Sequence, residues 1–181
     1  MERIRKEDVV LVVIDVQGKL ARLVSRHEAL IAQLGTLIRG CRAMGVPVVW
    51  TEQVPEKLGP TVPEVAGLLN GLAPLTKNSF SCCGSAEFVR RVEELNRPVV
   101  VLAGIEAHVC VYQTALDLLQ SGKRVEIVQN AVCSRDEENR QVALQRLAAS
   151  GAGLTTVETL LFEMQRVAEG DTFRLLNRLV R

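Results

Sequence analysis

Unbroken apolar runs alternate along the chain with stretches in which apolar residues recur at helical spacing. Two of the runs, residues 9–14 and 99–103, are almost entirely aliphatic and rich in valine. Such β-branched runs are typical of strands that are buried on both faces. Shorter runs predict four more strands, at residues 46–50, 75–76, 125–128 and 154–157.

The segments between these runs predict helices. Apolar residues at helical spacing from Leu30 to Cys41 predict a helix that ends at Gly45. Other helices are predicted to end at Leu69, before Gly122 and at Ser150, and two more cover residues 85–95 and 172–180. Three patterns are interpreted as capping boxes, Ser25 with Glu28, Thr61 with Glu64 and Ser134 with Glu137. Residues 51–62 and 78–84 are predicted to be loops.

This alternation predicts an α/β fold, a three-layer αβα sandwich around a six-stranded parallel sheet. Right-handed crossovers make it doubly wound and Rossmann-like, with strand order 3-2-1-4-5-6 and a single domain over residues 1–181. Ligands bind such sheets at the carboxyl ends of the strands, here between strands one and four. Asp15 ends strand one, Cys110 follows strand four and Lys77 ends strand three, so we expect these three residues to meet there.

The balance of charge argues against several kinds of partner. The chain has 22 Lys and Arg residues against 21 Asp and Glu residues, a net charge of +1, and only 3% aromatic residues. It therefore offers neither the basic surface that nucleic acid or an anionic membrane attracts nor a base-stacking platform. No stretch reaches transmembrane length and no signal peptide is evident, so a cytoplasmic location is expected.

The cysteine content points away from disulfides and structural zinc. The five cysteines are an odd number without C-x-x-C spacing, and there are only two histidines. Cys110 is different because it lies at the start of a helix, where the helix dipole and free N–H groups favour a thiolate. It could equally be a small buried residue that packs a strand–helix turn.

Other chemistries of this architecture lack their motifs. Residues 15–20 contain neither G-x-G-x-x-G nor a Walker A sequence, and no G-x-S-x-G nucleophile elbow is present. His108 is either a general base or a local hydrogen-bonding residue. What remains is Cys110 as nucleophile, Asp15 as base and Lys77 as charge stabiliser, which is a coherent set.

Three separate motifs carry a resemblance to a known family. They are Ile-Asp-Val-Gln at residues 14–17, Thr-Lys-Asn-Ser-Phe-Ser at 76–81 and Gly-Ile-Glu-Ala-His-Val-Cys-Val at 104–111, supported by Asn-Ala-Val-Cys-Ser at 130–134. Together they resemble the isochorismatase-like cysteine hydrolases over roughly residues 9–161. The likeness is greatest to the isochorismatase domain-containing subgroup, which also has Thr-Glu-Gln after strand two and whose substrates are largely unassigned.

The resemblance implies roles for particular residues. The catalytic triad would be Asp15, Lys77 and Cys110. Backbone N–H groups of Glu106 and Cys110 would bind the oxyanion, next to a non-proline cis peptide between Ile105 and Glu106. The Glu106 side chain would have a structural role. The substrate pocket would be lined by Gln17, Leu20, Phe80 and His108, although Gln17 could be a polar turn residue and Phe80 could serve only loop packing.

Two departures from the family narrow the expected activity. Residues 50–55 lack the histidine that metal-dependent relatives carry after strand two, so we expect no metal and no cofactor, and nicotinamide is not expected as substrate. Leu20 stands near where relatives carry a pocket phenylalanine, so ring stacking from there is lost. The presence of Cys110 favours C–N over vinyl-ether hydrolysis.

The expected function is therefore a cysteine hydrolase for a small-molecule amide or carbamoyl group. Lys77 and the helix N-terminus would lower the pKa of the Cys110 thiol, Asp15 would take its proton, and a covalent intermediate would form. A homo-oligomer, a dimer or larger, is expected from the family and from the amphipathic segment 172–180. The alternatives are a catalytically idle oligomeric scaffold and a small-molecule binding module.

Overall fold

The fold is built on one parallel sheet of six strands. The computed structural model describes residues 2–180. Its strand order is β3-β2-β1-β4-β5-β6, which confirms the predicted topology. The strands are β1 (Val9–Ile14), β2 (Val48–Gln53), β3 (Leu75–Lys77), β4 (Val99–Ile105), β5 (Arg124–Cys133) and β6 (Gly153–Thr155).

Helices cover both faces of the sheet. They are α1 (Leu20–Leu23), α2 (His27–Ala43), α3 (Pro55–Leu58), α4 (Pro63–Ala66), α5 (Ala86–Leu95), α6 (Tyr112–Gln120), α7 (Glu137–Ala149), α8 (Val157–Gln165) and α9 (Gly170–Leu179). Apolar residues of α2 and α8 belong to one core cluster and those of α5, α6 and α7 to another. Alternate residues of β1 contribute to the two clusters, which explains why this strand is apolar without interruption.

The middle of the sheet brings the ends of β1 and β4 side by side. These strands pair in register from Val9 opposite Val99 to Ile14 opposite Gly104. Gly104 has φ of 115°, and a Cβ atom there would lie 2.1 Å from the carbonyl oxygen of Ile14. Only glycine allows this close approach. The chain segments after β1 and β4, which carry Asp15 and Cys110, therefore start from adjacent positions.

Strands β2 and β5 are longer than their apolar runs. Residues 51–53 continue β2, where a loop is predicted, and Gln53 pairs with Lys77 of β3. The rest of the predicted loop contains the short helix α3, whereas α4 lies after it and stops at Ala66, short of the predicted helix end at Leu69. β5 extends to Cys133 through polar residues. Apolar periodicity misses these extensions because polar residues interrupt the apolar runs while main-chain pairing with the neighbouring strand continues.

The three predicted capping boxes are wrong. Ser25 precedes Arg26, the residue at the start of α2, and makes no cap. The cap of α7 is Asp136, whose carboxylate accepts hydrogen bonds from two main-chain N–H groups, whereas Ser134 is fully buried at the end of β5. α4 follows Val62 and has no side-chain cap. In each case the preceding chain is held elsewhere, as shown by the N–H of Ser25, which donates to the Ser134 carbonyl.

The C-terminal segment differs from the prediction in two ways. The predicted sixth strand stops at Thr155 because Thr156 accepts a hydrogen bond from the N–H of Thr159 and caps α8, a helix that the apolar pattern did not reveal. The amphipathic segment forms α9, and its Leu176 is fully buried against the chain's own core. Leu176 therefore gives no support to the expected oligomer, while Leu175 and Leu179 on the same side are partly buried.

In the part of the chain that the structure describes, no helix combines the length and the apolar character needed to cross a membrane.

Candidate active site

Asp15 follows β1 directly and enters the left-handed region, with φ of 50°. Aspartate tolerates this conformation better than most residues. The Thr51 hydroxyl donates a hydrogen bond of 2.7 Å to its Oδ1. The Lys77 ammonium lies 2.6 Å from its Oδ2. Both carboxylate oxygens are therefore bound, and the side chain is held in one orientation inside the protein.

Lys77 is the last residue of β3, and its long side chain reaches back towards β1. Besides Asp15, its Nζ lies 3.1 Å from Oε1 of Gln53 and 3.1 Å from each of the carbonyl oxygens of Ser79 and Phe80. The loop after β3 thus folds over the ammonium and supplies main-chain acceptors. A buried ammonium is tolerated because one full negative charge and several dipoles compensate it.

Cys110 lies in a π-helical turn, Ala107–Val111, between β4 and α6. Its Sγ is 3.1 Å from Oε1 of Gln53. The residue is 7% exposed. The structure therefore brings Cys110, Lys77 and Asp15 into one hydrogen-bonded group, as expected from the strand ends, with Gln53 as the link between the thiol and the ammonium.

The pKa of the thiol moves opposite to the expected direction. Burial raises the pKa of Cys110 to about 12; the Asp15 carboxylate also raises it, and the Lys77 ammonium acts against both. The expectation of a lowered pKa is wrong because the helix start faces the protein interior, where desolvation outweighs the nearby positive charge. The resting site holds a neutral thiol beside a carboxylate.

The turn around Glu106 uses both main chain and side chain. The peptide bond between Ile105 and Glu106 is cis. The Glu106 carbonyl accepts hydrogen bonds from the N–H groups of Val109 and Val111, which flank Cys110. Its carboxylate binds Arg135, through the main-chain N–H at 3.0 Å and the guanidinium Nε at 3.1 Å. This contact matches the structural role expected for that side chain.

Gln53 and Thr51 are the site residues that sequence reasoning missed. They lie on the same face of β2, because side chains two residues apart on a strand point the same way. The signal was the Thr-Glu-Gln sequence at residues 51–53, which continues the strand beyond its apolar part. The Gln17 amide holds the Gln53 main chain: Oε1 accepts from its N–H at 2.7 Å and Nε2 donates to its carbonyl at 3.2 Å.

The remaining candidate pocket residues are less closely connected to the thiol. Nδ1 of His108 lies 2.9 Å from the Ser134 hydroxyl, so the observed hydrogen bond of this ring stabilises the end of β5. Phe80 touches the site through its carbonyl, and its side chain is 53% exposed. Leu20 is half-buried at the start of α1 and packs against the core cluster that contains α2.

One of two open cavities lies beside this group. A cavity of about 430 Å³ is lined by Lys77, its neighbours in the loop and Ser85. Another, of about 870 Å³, lies where the chain enters β1 and is lined by Arg3, Arg5 and Arg166 among others. Asp15 follows the other end of β1, so the second cavity is at the opposite edge of the sheet from Cys110.

Among residues 2–180, no three His, Cys, Asp or Glu side chains are grouped so that they could hold a metal ion.

Comparison with known proteins gives matches over nearly the whole chain. The model of the isochorismatase domain family matches residues 9–159. Isochorismatase domain-containing protein 2 of Danio rerio is 36% identical, over 98% of this chain and 89% of the relative. A solved structure described as the MAR1 ribonuclease of Caenorhabditis elegans is 33% identical with a TM-score of 0.92, covering 99% of this chain and 92% of that one.

A more distant structure has the same fold. The ycaC gene product of Escherichia coli, described as an octameric hydrolase of unknown specificity, is 23% identical with a TM-score of 0.93. The match covers 99% of this chain and 91% of that protein. At this identity the likeness concerns the fold alone.

Proposed function

Because the chain belongs to the isochorismatase family, we propose that it is a cysteine hydrolase that cleaves a C–N bond in a small amide or carbamoyl compound. The family suggests a hydrolase, and the chemistry follows from one observation. Cys110, Gln53, Lys77 and Asp15 are joined by contacts of 2.6 to 3.1 Å in a largely buried group. Such a group contains a nucleophile, a proton acceptor and a fixed positive charge.

The first half of the reaction forms a covalent intermediate. As Sγ of Cys110 attacks the carbonyl carbon, its proton passes to Asp15 and the carbonyl π electrons move to oxygen. Main-chain N–H groups of Glu106 and Cys110 bind this oxyanion. The C–N bond then breaks, the proton on Asp15 moves to nitrogen, and ammonia or an amine leaves. A thioester on Cys110 remains.

The second half returns the enzyme to its resting state. Asp15 takes a proton from water, whose oxygen attacks the thioester carbon. The C–S bond breaks, the carboxylic acid is released, and the proton on Asp15 returns to sulfur. Lys77 exchanges no proton in this scheme. It donates a hydrogen bond to Asp15 in the resting site and stabilises the negative charge whenever it is on sulfur.

The raised pKa of the thiol is compatible with this scheme. A neutral thiol is a poor nucleophile, so proton transfer to Asp15 has to accompany the attack on the carbonyl carbon. The reaction then needs no standing thiolate. Substrate binding also changes the surroundings of sulfur, because it brings the electrophilic carbon next to it.

Two other functions use the same fold without this chemistry. A catalytically idle oligomeric scaffold would not need a nucleophile, and a small-molecule binding module would hold its ligand without a covalent step. The name of the Caenorhabditis elegans relative raises a third possibility, RNA cleavage. The net charge of +1 gives no support to RNA binding, and Lys77, whose charge Asp15 compensates, is poorly suited to bind a phosphate.

The deciding experiment looks for acylation of one thiol. The purified protein is incubated with a panel of primary amides, ureas and carbamoyl compounds, with RNA as a separate arm. Ammonia release is measured together with the intact mass. We expect ammonia release and, on rapid quenching, an acyl adduct on Cys110. Cys110→Ala abolishes both, whereas Cys83→Ala, outside the hydrogen-bonded group, retains them. Prolonged chelation leaves the activity unchanged, because no metal takes part.

Each rival function has its own result. Saturable binding without ammonia or an adduct would identify a binding module. Neither binding nor turnover in a chain that assembles would identify a scaffold. RNA cleavage that persists in Cys110→Ala would replace the proposed hydrolase by a nuclease that does not use this thiol. Activity lost on chelation and restored by zinc or manganese would contradict the metal-free mechanism.

Assembly is proposed separately from the chemistry. We propose a homo-oligomer, a dimer or larger, from the family resemblance and the octameric description of the Escherichia coli protein. α9 is not proposed as the interface, because Leu176 of its apolar face is already packed in the chain's own core. Light scattering at micromolar concentration should give at least twice the chain mass of 19.9 kDa. A monomer would overturn the proposal without affecting the hydrolase chemistry.

A further inference from the structure

The side-chain amide of Gln53 has a fixed orientation. Its Oε1 lies 3.1 Å from Nζ of Lys77 and 3.1 Å from Sγ of Cys110. An ammonium group can only donate hydrogen bonds, and a neutral thiol donates its single proton. The ammonium therefore requires the oxygen of the amide, because the reversed amide would place N–H groups against it.

The main chain of Gln53 is fixed as well. The Gln17 amide binds both the N–H and the carbonyl of Gln53, and its Nε2 also donates to the Gly59 carbonyl at 2.7 Å. Gln17 is fully buried. Gln53 is thus held at its backbone and at its amide oxygen. These two contacts also fix the position of its amide nitrogen.

That nitrogen has an unused donor close to the thiol. Among residues 2–180, Gln53 Nε2 donates no hydrogen bond to a protein acceptor, whereas Oε1 accepts from two groups. The buried side-chain polar atoms without partners in this part of the chain are Trp50 Nε1 and Thr61 Oγ1, so Gln53 Nε2 reaches solvent. An amide nitrogen is about 2.2 Å from its oxygen. Since Oε1 is 3.1 Å from Sγ, Nε2 is within about 5.3 Å of Sγ.

We propose that Gln53 is the specificity-determining residue of this site, and that its Nε2 donates a hydrogen bond to a second acceptor atom of an uncharged substrate. The proposal rests on the proposed hydrolase function. The first acceptor, the carbonyl oxygen that becomes the oxyanion, is bound by main-chain N–H groups. Because Nε2 lies within about 5.3 Å of Sγ, a second acceptor close to the attacked carbon can reach it.

The charges around the thiol define the substrate class further. The Lys77 ammonium is matched by the Asp15 carboxylate at 2.6 Å. A negatively charged substrate group beside the thiol would find no uncompensated positive charge in this hydrogen-bonded group. A positively charged substrate group would find no uncompensated negative charge there. The site therefore suits a neutral amide with an oxygen or ring nitrogen near its carbonyl carbon.

The test uses two amides of the same size. Methoxyacetamide has an ether oxygen two bonds from its carbonyl carbon, and butyramide has a methylene group there. Ammonia release is measured for both with wild type, Gln53→Glu and Gln53→Met, and the readout is the ratio of the two kcat/KM values. Gln53→Glu keeps an oxygen for Lys77 but replaces the donor by an acceptor. Gln53→Met removes both.

We expect the ratio of kcat/KM for methoxyacetamide to kcat/KM for butyramide to be about three- to tenfold higher in wild type than in either variant. A factor of this size is the contribution of one neutral hydrogen bond. Comparing ratios cancels the difference in reactivity of the two amides and any common effect of the substitution on the thiol. Gln33→Glu is the matched control. The Gln33 oxygen accepts from Asn130, away from the thiol, so this variant should keep the wild-type ratio.

A ratio that is the same in wild type and both variants would overturn the proposal and leave Gln53 as a positioning residue for Lys77. If wild type releases no ammonia from any amide, the hydrolase proposal has failed, and Gln53 is then tested by binding. In that case each amide is used to protect Cys110 from N-ethylmaleimide. Protection by methoxyacetamide at several-fold lower concentration, lost in the variants, supports the role of Nε2. Equal protection by the two amides contradicts it.

Discussion

Nζ of Lys77 lies 2.6 Å from Oδ2 of Asp15, and neither side chain is more than 4% exposed. Such a pair contributes little net stability, because removing both charges from water offsets most of their attraction. Its importance is that neither charge can be removed alone without leaving the other unpaired inside the protein. The thiol of Cys110 responds to both charges, in opposite directions.

The first prediction concerns the stability of this pair. Lys77→Met and Asp15→Asn should each lower the free energy of unfolding by about 3–5 kcal/mol, because each leaves an uncompensated buried charge. The double variant leaves no uncompensated charge, so its loss in free energy of unfolding should be well below the sum of the losses in the two single variants. Urea unfolding of the four proteins measures this cycle. Additive losses would contradict the coupling that the short distance indicates.

The second prediction concerns the rate at which iodoacetamide alkylates Cys110. Only the thiolate reacts, so wild type should react slowly near neutral pH and faster as pH rises towards the thiol pKa of about 12. Asp15→Asn removes a cause of the raised pKa and should speed alkylation at a given pH. Lys77→Met removes the opposing charge and should slow it.

Peptide mapping identifies the labelled residue in that experiment, and Cys110→Ala shows the background from the other thiols. A wild-type protein that alkylates rapidly at neutral pH would contradict the raised pKa. Rates that neither substitution changes would show that Asp15 and Lys77 do not act on this thiol, and the proposed triad would be wrong.

Much of the fold can be predicted from the apolar pattern, because a strand that is buried on both faces is a continuous run of apolar residues. The runs at β1 and β4 are apolar throughout, and the residues at their ends become neighbours once the strand order is known. This is how Asp15 and Cys110 could be placed together in advance. Lys77 was placed by the same argument, although β3 is only three residues long.

What the sequence did not reveal depends on local geometry and depth. Polar residues end the apolar run of β2 and predict a loop at Gln53, whereas main-chain pairing with β3 continues through this residue. Ser134 fits the sequence pattern of a cap, but the carboxylate of Asp136 is the group that accepts the N–H hydrogen bonds at the start of α7. The pKa direction of Cys110 was missed because a helix start is visible in sequence, whereas its burial is not.

The third prediction concerns the junction of β1 and β4. Gly104→Ala should abolish folding or lower stability by more than about 3 kcal/mol, because its Cβ would lie 2.1 Å from the Ile14 carbonyl oxygen. Gly122→Ala is the matched control. It also has positive φ, of 82°, but nothing lies within 4 Å of its Cβ position.

The control should therefore lower the free energy of unfolding by only about 1–2 kcal/mol, because alanine disfavours the left-handed backbone conformation at this position. Both variants are compared by thermal and urea unfolding, with far-UV circular dichroism to report whether a fold is present. Equal losses in the two variants would mean that β1 and β4 do not approach as closely as the register of Ile14 opposite Gly104 requires.

The last prediction concerns stability at alkaline pH. Burial raises the pKa of Cys41 from its ordinary value of 9.0 to about 12. Between these values the thiol is ionised in the unfolded chain but neutral in the folded protein, so the unfolded state binds fewer protons. Stability must then fall as pH rises, by about 1.4 kcal/mol per pH unit for each such thiol. Below pH 9 this contribution is constant.

Cys41→Ala removes one of these groups, so its free energy of unfolding should fall less steeply above pH 9 than that of wild type. All other titrating groups are common to the two proteins and cancel in the difference. Ile38→Val, on the same buried face of α2, is the control, because it removes a methyl group at a cost of about 0.5–1.5 kcal/mol without removing a proton. Its curve should run parallel to that of wild type. If Cys41→Ala also runs parallel, the Cys41 thiol ionises in the folded protein as readily as in the unfolded chain, and its pKa is not raised by burial.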